Sequence, residues 1–124
     1  MAVIDITFEG LRRWQSEVWI QLKRFNVLVV HRRAGKTVLA ILWLIWRTAP
    51  IPNGRGAYLA PLYNQAKRVA WDYLKRYAAV IPGSTFNESE LSAVFPNGAK
   101  IELLGADNPH AIRGVVLDAV VMDE

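Results

Sequence analysis

The motif of a phosphate-binding loop is formed by Gly35, Lys36 and Thr37. A valine-rich segment at residues 26–30 precedes it and an apolar segment at residues 38–46 follows it, which predicts a strand, a loop and a helix. Backbone N–H groups at the start of a helix attract anions, and glycine lets the backbone approach them closely. Lys36 would reach the β- and γ-phosphates of a nucleotide, and the Thr37 hydroxyl would bind Mg²⁺.

The loop ahead of this motif adds positive charge. It contains Arg32 and Arg33, and Ala34 completes the segment that we expect to contact the nucleotide. The full loop pattern has a glycine five residues before Gly35, where this chain has Val30, so the match is partial. The alternative is a helix that happens to begin with these residues, and the strand, the helix and the basic loop together argue against it.

Two adjacent carboxylates, Asp123 and Glu124, follow a segment at residues 119–122 that we predict to be a buried strand. Asp123 would hold Mg²⁺, and Glu124 would polarise the attacking water. Side-by-side carboxylates are electrostatically favourable beside a cation. Acids after strands are common, and a solvated loop is the alternative; the position of this pair downstream of Lys36 favours the catalytic interpretation.

Two further side chains are candidates for contacts with the nucleotide. Gln15 precedes the first predicted strand, and a glutamine accepts from and donates to adenine at the same time, which would select ATP. Arg113 lies in a turn-rich loop at residues 108–114, where a guanidinium would stabilise charge on the γ-phosphoryl group in its own subunit or in a neighbour. The alternatives are an ordinary surface glutamine and an ordinary surface arginine.

The order of strands and helices predicts an α/β fold with a parallel sheet. An amphipathic helix at residues 11–25 precedes the strand at 26–30, and a second strand is expected at 57–60. A helix at 63–80 carries a basic solvent face, and an Asn-Gly turn at residues 97–98 predicts a β-hairpin near 91–104. We expect the strands at 26–30 and 119–122 to be central, with helices on both faces.

Composition excludes several classes of protein. The 124 residues allow one domain at most, and the absence of cysteine excludes disulfides and thiolate metal sites. No apolar run is long enough to span a membrane. Neither His31 nor His110 has partners at metal-ligand spacing, so no zinc site is predicted.

We expect three tryptophans in the core: Trp14, Trp43 and Trp46.

The charge is distributed unevenly along the chain. Residues 1–79 carry thirteen Lys and Arg against four Asp and Glu, whereas residues 80–124 carry two against seven. This asymmetry fits a protein whose residues 1–79 bind phosphates and whose residues 80–124 bind a metal ion.

Taken together, these motifs resemble the large terminase subunits of tailed bacteriophages. The loop HRRAGKT is similar to their arginine-bearing Walker A loop, and Trp14-Gln15 is similar to their adenine-reading Q motif. Further similarity lies in the segments YLAP and NQA, the PNG hairpin, and the run from GADN through Arg113 to VVMDE. The resemblance covers nearly the whole chain, and it implies a P-loop NTPase of the RecA-like (ASCE) type.

The resemblance implies an ATP-hydrolysing motor that drives double-stranded DNA into a capsid. Its partners would be the portal protein and the small terminase subunit, and it would work as a homo-oligomeric ring in the host bacterial cytoplasm, away from membranes. Arg113 matches the arginine that acts across subunits, Glu124 matches the catalytic carboxylate, and Arg32 or Arg33 matches the loop arginine. Residues 1–124 would then be the N-terminal part of an incomplete ATPase domain without its nuclease domain.

Two other functions remain open from the residues alone. A superfamily 2 helicase core shares the Q motif and both Walker elements, and the residues after Glu124 would separate it from a terminase. A non-catalytic nucleotide- or DNA-binding fragment is the other, and measured ATP turnover would exclude it.

Overall fold

The computed structural model describes residues 35–108 and 116–122. In this part the chain forms two helices and five strands, which are α1 (Lys36–Thr48), β1 (Arg55–Ala60), α2 (Tyr63–Ala78), β2 (Thr85–Asn87), β3 (Ser92–Val94), β4 (Lys100–Gly105) and β5 (Ala119–Met122). No helix in these two segments is long and apolar enough to cross a bilayer. The fold class is therefore mixed α/β.

The five strands form one sheet in the order β2-β3-β4-β1-β5. Strand β1 pairs in parallel with β4 on one side and with β5 on the other. The β3–β4 pair is antiparallel and confirms the predicted hairpin, with Gly98 in the left-handed conformation that its turn requires. The short strand β2 pairs antiparallel with β3 at the edge, and the sequence pattern did not predict it.

The two helices pack on the same face of the sheet. Both contact β1 and β4 as well as each other, and together they cover one hydrophobic core. The predicted helices on both faces are therefore not seen among the described elements. The helix predicted at residues 11–25 and the strand predicted at 26–30 lie outside the described residues, so their positions remain predictions.

Helix α1 buries most of its circumference, as its uniformly apolar sequence predicts. The buried side chains are Leu39, Ile41, Leu42, Leu44, Ile45 and Thr48. The prediction that Trp46 is a core residue is wrong, because its side chain is 47% exposed. The Arg47 guanidinium lies over the rings of both Trp43 and Trp46, at 5.9 and 5.6 Å. This cation–π contact lets the partly buried Trp43 and the exposed Trp46 share one outer face of the helix.

Helix α2 has a narrow buried stripe and a broad polar face. Four small or medium residues, Ala66, Ala70, Leu74 and Ala78, form the stripe together with Trp71. The opposite face exposes three of the four predicted cations, Lys67, Arg68 and Arg76. The fourth, Lys75, is instead half-buried.

The side of α2 that bears Lys75 is tied to the turn after β2 through Glu88. The Trp71 indole N–H donates to Glu88 at 2.7 Å, and the Lys75 ammonium donates to the same carboxylate at 3.1 Å. These hydrogen bonds, that of Trp71 first, lower the pKa of Glu88 below its ordinary value. Strand β2 is thereby held against the helix despite its three-residue length.

Strand β5 is less buried than the sequence predicts. Its valine-rich sequence without alternation indicates burial on both faces, but Val120 is 40% and Met122 is 76% exposed. Within the part of the chain that is described, β5 pairs with β1 alone and ends the sheet. Its central position therefore remains a prediction that depends on residues 26–30.

Helix α1 approaches the sheet closely at Gly56. A Cβ atom at this position would collide with Thr48 Oγ1 and would lie 3.2 Å from Leu44 Cδ1. Thr48 is fully buried, and its hydroxyl has no hydrogen-bond partner among the described residues. Glycine therefore sets the distance at which helix and strand pack.

We predict that Gly56→Ala destabilises the fold by about 1–3 kcal/mol, the usual cost of overpacking a core. Adding Thr48→Ala should recover most of this loss, because it removes the atom that the new methyl group meets. Denaturant unfolding of the single and double variants measures the coupling. Thr85→Ala, which removes an exposed threonine from β2, is the matched control and should rescue nothing. Additive effects of Gly56→Ala and Thr48→Ala would contradict this packing.

Candidate functional site

The amino end of α1 lies at the carboxyl edge of the parallel strands. Thr48, the last residue of α1, packs on Gly56 near the start of β1, so the helix runs back along the sheet. A helix of 13 residues and a strand of six both span about 20 Å. Lys36 is therefore at the edge where β1 ends, and Met122, which precedes Asp123, lies at the same edge because β5 is parallel to β1.

The first turn of α1 has the features of an anion-binding helix end. Gly35 caps the helix in the left-handed conformation, with φ of 89°, which glycine adopts without steric cost. The Leu39 N–H donates to the Gly35 carbonyl at 3.2 Å, and the first turn contains no acidic residue. The positive end of the helix dipole is therefore not neutralised within α1, which favours a bound phosphate.

The groups present at this helix end fit a nucleotide phosphate with Mg²⁺. Lys36 supplies an ammonium group and Thr37 supplies a hydroxyl oxygen, the hard ligand type that Mg²⁺ prefers. The described residues contain no cluster of three or more His, Cys, Asp or Glu side chains that would hold a metal by themselves.

The structure describes three of the residues predicted for the site. Gly35, Lys36 and Thr37 open α1, as the sequence predicts. The other predicted residues lie outside the described residues, so their roles stay predictions: Gln15, Arg32, Arg33, Ala34, Arg113, Asp123 and Glu124.

Sequence reasoning missed a hydrogen-bonded contact at the same edge of the sheet. Asp107 Oδ1 accepts the Tyr63 N–H at 3.0 Å, and the Asp107 N–H donates to the Pro61 carbonyl at 3.1 Å. The Ala106 N–H also donates to the Ala60 carbonyl at 2.8 Å. These bonds join the turn after β4 to the start of α2. A local capping pattern could not predict them, since Asp107 lies 44 residues from the helix that it caps.

A charged cluster joins β4 to the turn that precedes β3. The Lys100 ammonium is 3.2 Å from both Glu90 and Glu102. Burial opposes the charging of Lys100, but the hydrogen bonds to Glu102 and Glu90 outweigh it and raise the pKa of Lys100. Burial, followed by the charges of Glu102 and Glu90, also raises the pKa of Tyr63.

Two solved structures that are similar to this chain are ATPase domains of one phage protein. The large terminase ATPase domain of Thermus phage P74-26 is 26% identical with a TM-score of 0.59, over 75% of this chain and 45% of that chain. An arginine-to-alanine mutant of the same domain is 23% identical with a TM-score of 0.71, over 93% of this chain and 54% of that chain. The chain has the fold of a phage large terminase ATPase domain.

This likeness confirms the resemblance that the motifs indicate. No family model matches the sequence, and no curated protein matches it. The chain spans about half the length of the terminase ATPase domains that it matches.

We predict that Lys36→Ala weakens ATP binding by the terminase-like chain roughly 10- to 100-fold, because a charge-assisted hydrogen bond contributes about 1.5–3 kcal/mol. Titration of the full-length gene product with ATP and Mg²⁺ measures the affinity. Lys67→Ala removes an exposed lysine from α2 and is the matched control, with unchanged affinity expected. Equal affinities for Lys36→Ala and the wild type would show that the loop is misassigned.

Proposed function

We propose that this chain is part of the ATP-hydrolysing motor of a phage DNA-packaging terminase, which drives double-stranded DNA into a capsid. The observation that carries the proposal is the Gly-Lys-Thr helix start at the carboxyl edge of parallel strands, in a fold shared with terminase ATPase domains. Parallel α/β sheets bind ligands at this edge, beyond the carboxyl ends of the strands.

In this proposal the fold is a P-loop NTPase of the RecA-like type. The amides of residues 32–35 and Lys36 hold the phosphates, and Arg32 or Arg33 adds a further positive charge. Thr37 and Asp123 would hold Mg²⁺, and Gln15 would bind the adenine. The metal would supply positive charge that offsets the charge of the phosphates. The absence of an acid from the first turn of α1 supports this assignment, because a carboxylate there would repel the phosphates.

Hydrolysis would then depend on two further residues, Glu124 and Arg113. The Glu124 carboxylate accepts a proton from the attacking water and orients it in line with the leaving oxygen. Arg113 donates to the equatorial oxygens as negative charge spreads over them. A guanidinium in the turn-rich loop that the sequence predicts would add little until a phosphate reaches it, so we assign Arg113 to the ATP of the neighbouring subunit in a homo-oligomeric ring.

We assign the outer face of α2 to double-stranded DNA. Lys67, Arg68 and Arg76 are exposed along this helix, whereas the half-buried Lys75 pairs with Glu88 and Asp72. Arginine and lysine side chains that neutralise phosphates supply most of the sequence-independent affinity for DNA. A packaging motor needs this kind of contact, because it moves along every sequence of the genome.

The remaining partners follow from the terminase assignment. The portal protein and the small terminase subunit would complete the packaging assembly in the host bacterial cytoplasm.

The arrangement of the catalytic residues is tested by mixing inactive subunits. Arg113→Ala and Glu124→Gln should each leave ATP bound and cut turnover steeply, because an arginine finger contributes on the order of 10³- to 10⁵-fold in rate. In mixed rings some interfaces pair an intact Arg113 with an intact Glu124, so partial ATPase activity should return. Turnover is measured at several mixing ratios, with ring formation checked separately. Mixed rings that stay inactive would contradict action across subunits.

The DNA assignment is tested by the salt dependence of binding. Arg76→Gln and Arg68→Gln should each weaken binding to duplexes of unrelated sequence equally, and each should reduce the slope of log affinity against log salt by about 1. Arg55→Gln is the control of matched charge at the amino edge of the sheet, where Arg55 donates to the Gly54 and Gly98 carbonyls. A slope that changes with Arg55→Gln, and not with the α2 variants, would place DNA elsewhere.

A further inference from the structure

The Glu88 carboxylate lies against the basic side of α2, and we propose that it weakens the grip of this helix on DNA. Glu88 does so by occupying the Lys75 ammonium, which a DNA phosphate would otherwise contact. This role rests on the proposed function, in which the outer face of α2 binds double-stranded DNA.

The ion pair between Lys75 and Glu88 lies at the surface of the protein. The two charged groups are 3.1 Å apart, and the side chain of Glu88 is 65% exposed. Asp72, one turn earlier on the same helix, is 4.0 Å from the same ammonium. The ammonium also lies over the ring of Trp71, 5.3 Å from its centroid. Lys75 is thus engaged by groups of this chain at a place that a phosphate can reach.

The position of Glu88 is among the cations that we assign to DNA. Lys67 and Arg68 precede Lys75 by eight and seven residues, close to two helical turns, so the three cations share one side of α2. The hydrogen bonds from Trp71 and Lys75 lower the pKa of Glu88 most, and the charges of Lys75 and Lys67 lower it further. A negative charge is therefore present on this side of the helix at neutral pH.

Attachment of β2 to α2 does not itself require this charge. The Trp71 indole N–H, which donates to Glu88 at 2.7 Å, needs an oxygen acceptor and not a carboxylate. An exposed ion pair adds little to stability, so Lys75 can exchange the carboxylate for a phosphate at small cost. A motor that moves along DNA must release each phosphate that it holds. A carboxylate that competes for a cation of the binding face favours this release.

Glu88→Gln tests the role of the charge, because it keeps an oxygen acceptor for Trp71 and removes the competitor for Lys75. Binding of the full-length gene product to duplexes of unrelated sequence should become roughly 3- to 10-fold tighter at about 0.1 M salt. The slope of log affinity against log salt should become steeper by about 1, since one more phosphate is neutralised. Fluorescence anisotropy over a series of salt concentrations measures both quantities.

Glu90→Gln is the matched control. It removes the same charge from an exposed glutamate that is two residues away in sequence and that also pairs with a lysine, Lys100 of β4, at 3.2 Å. DNA affinity should stay within about twofold of the wild type. Equal tightening by Glu88→Gln and Glu90→Gln would show an effect of net charge alone and would overturn the inference.

Lys75→Gln separates competition for this lysine from general repulsion of DNA. Alone it should change DNA affinity by no more than about twofold, because Glu88 already occupies the ammonium. In the Lys75→Gln background, Glu88→Gln should lose most of its gain. A full gain without Lys75 would contradict the inference. A loss in Lys75→Gln as large as that in Arg68→Gln would contradict it too, and this single variant decides the matter if Glu88→Gln does not fold.

The arginine variants of α2 distinguish failure of the proposed function from failure of this inference. If Arg68→Gln and Arg76→Gln leave DNA binding unchanged, the assignment of α2 to DNA and the role of Glu88 are both wrong. If they weaken binding while Glu88→Gln does not tighten it, the role of Glu88 alone is wrong.

Discussion

Parallel pairing of β1 with a neighbour on each side is the constraint on which the described structure depends. Tyr58 is in register with Leu103 of β4 and with Val121 of β5, so one strand aligns the other two. The chain secures β1 beyond its ladder at both ends. At the amino end, Asp118 and Arg55 exchange two hydrogen bonds of 2.7 and 2.9 Å, and at the carboxyl end Asp107 holds Pro61. Backbone groups that a strand end would leave unsatisfied are thereby paired.

This alignment explains why the residues proposed for nucleotide binding lie at one edge of the sheet. Because β1, β4 and β5 run in the same direction, their carboxyl ends meet where α1 begins. The opposite edge holds the close contact between Thr48 and Gly56, which is a matter of packing rather than charge. The positive end of the helix dipole, the Lys36 ammonium group and the Thr37 hydroxyl group all belong to the first turn of α1. The other end of this helix is fixed in the core. Such support keeps the groups in place without rearrangement when a charged ligand arrives.

Periodicity and turn chemistry were sufficient to predict α1, α2 and the β3–β4 hairpin, because each of these elements is encoded by residues that are neighbours in sequence. They did not predict side-chain burial where it depends on elements that are distant in sequence. An all-apolar helix does not reveal that Trp46 faces outward beside Arg47, and a valine-rich segment does not reveal that β5 exposes Met122. For the site, the Gly-Lys-Thr motif was found at the predicted helix start. Asp107 was not predicted, since its partner at Tyr63 is close only after β4 pairs with β1.

The unequal lengths of the two ladders on β1 have a mechanical consequence. Among the described residues, six residue pairs join β1 to β4, whereas four join it to β5. A force along the strands loads all the hydrogen bonds of a parallel ladder together, so each ladder resists in proportion to its length. Of the two described ladders, the one between β1 and β5 should therefore rupture at the lower force, and β1 and β4 should remain joined when it does.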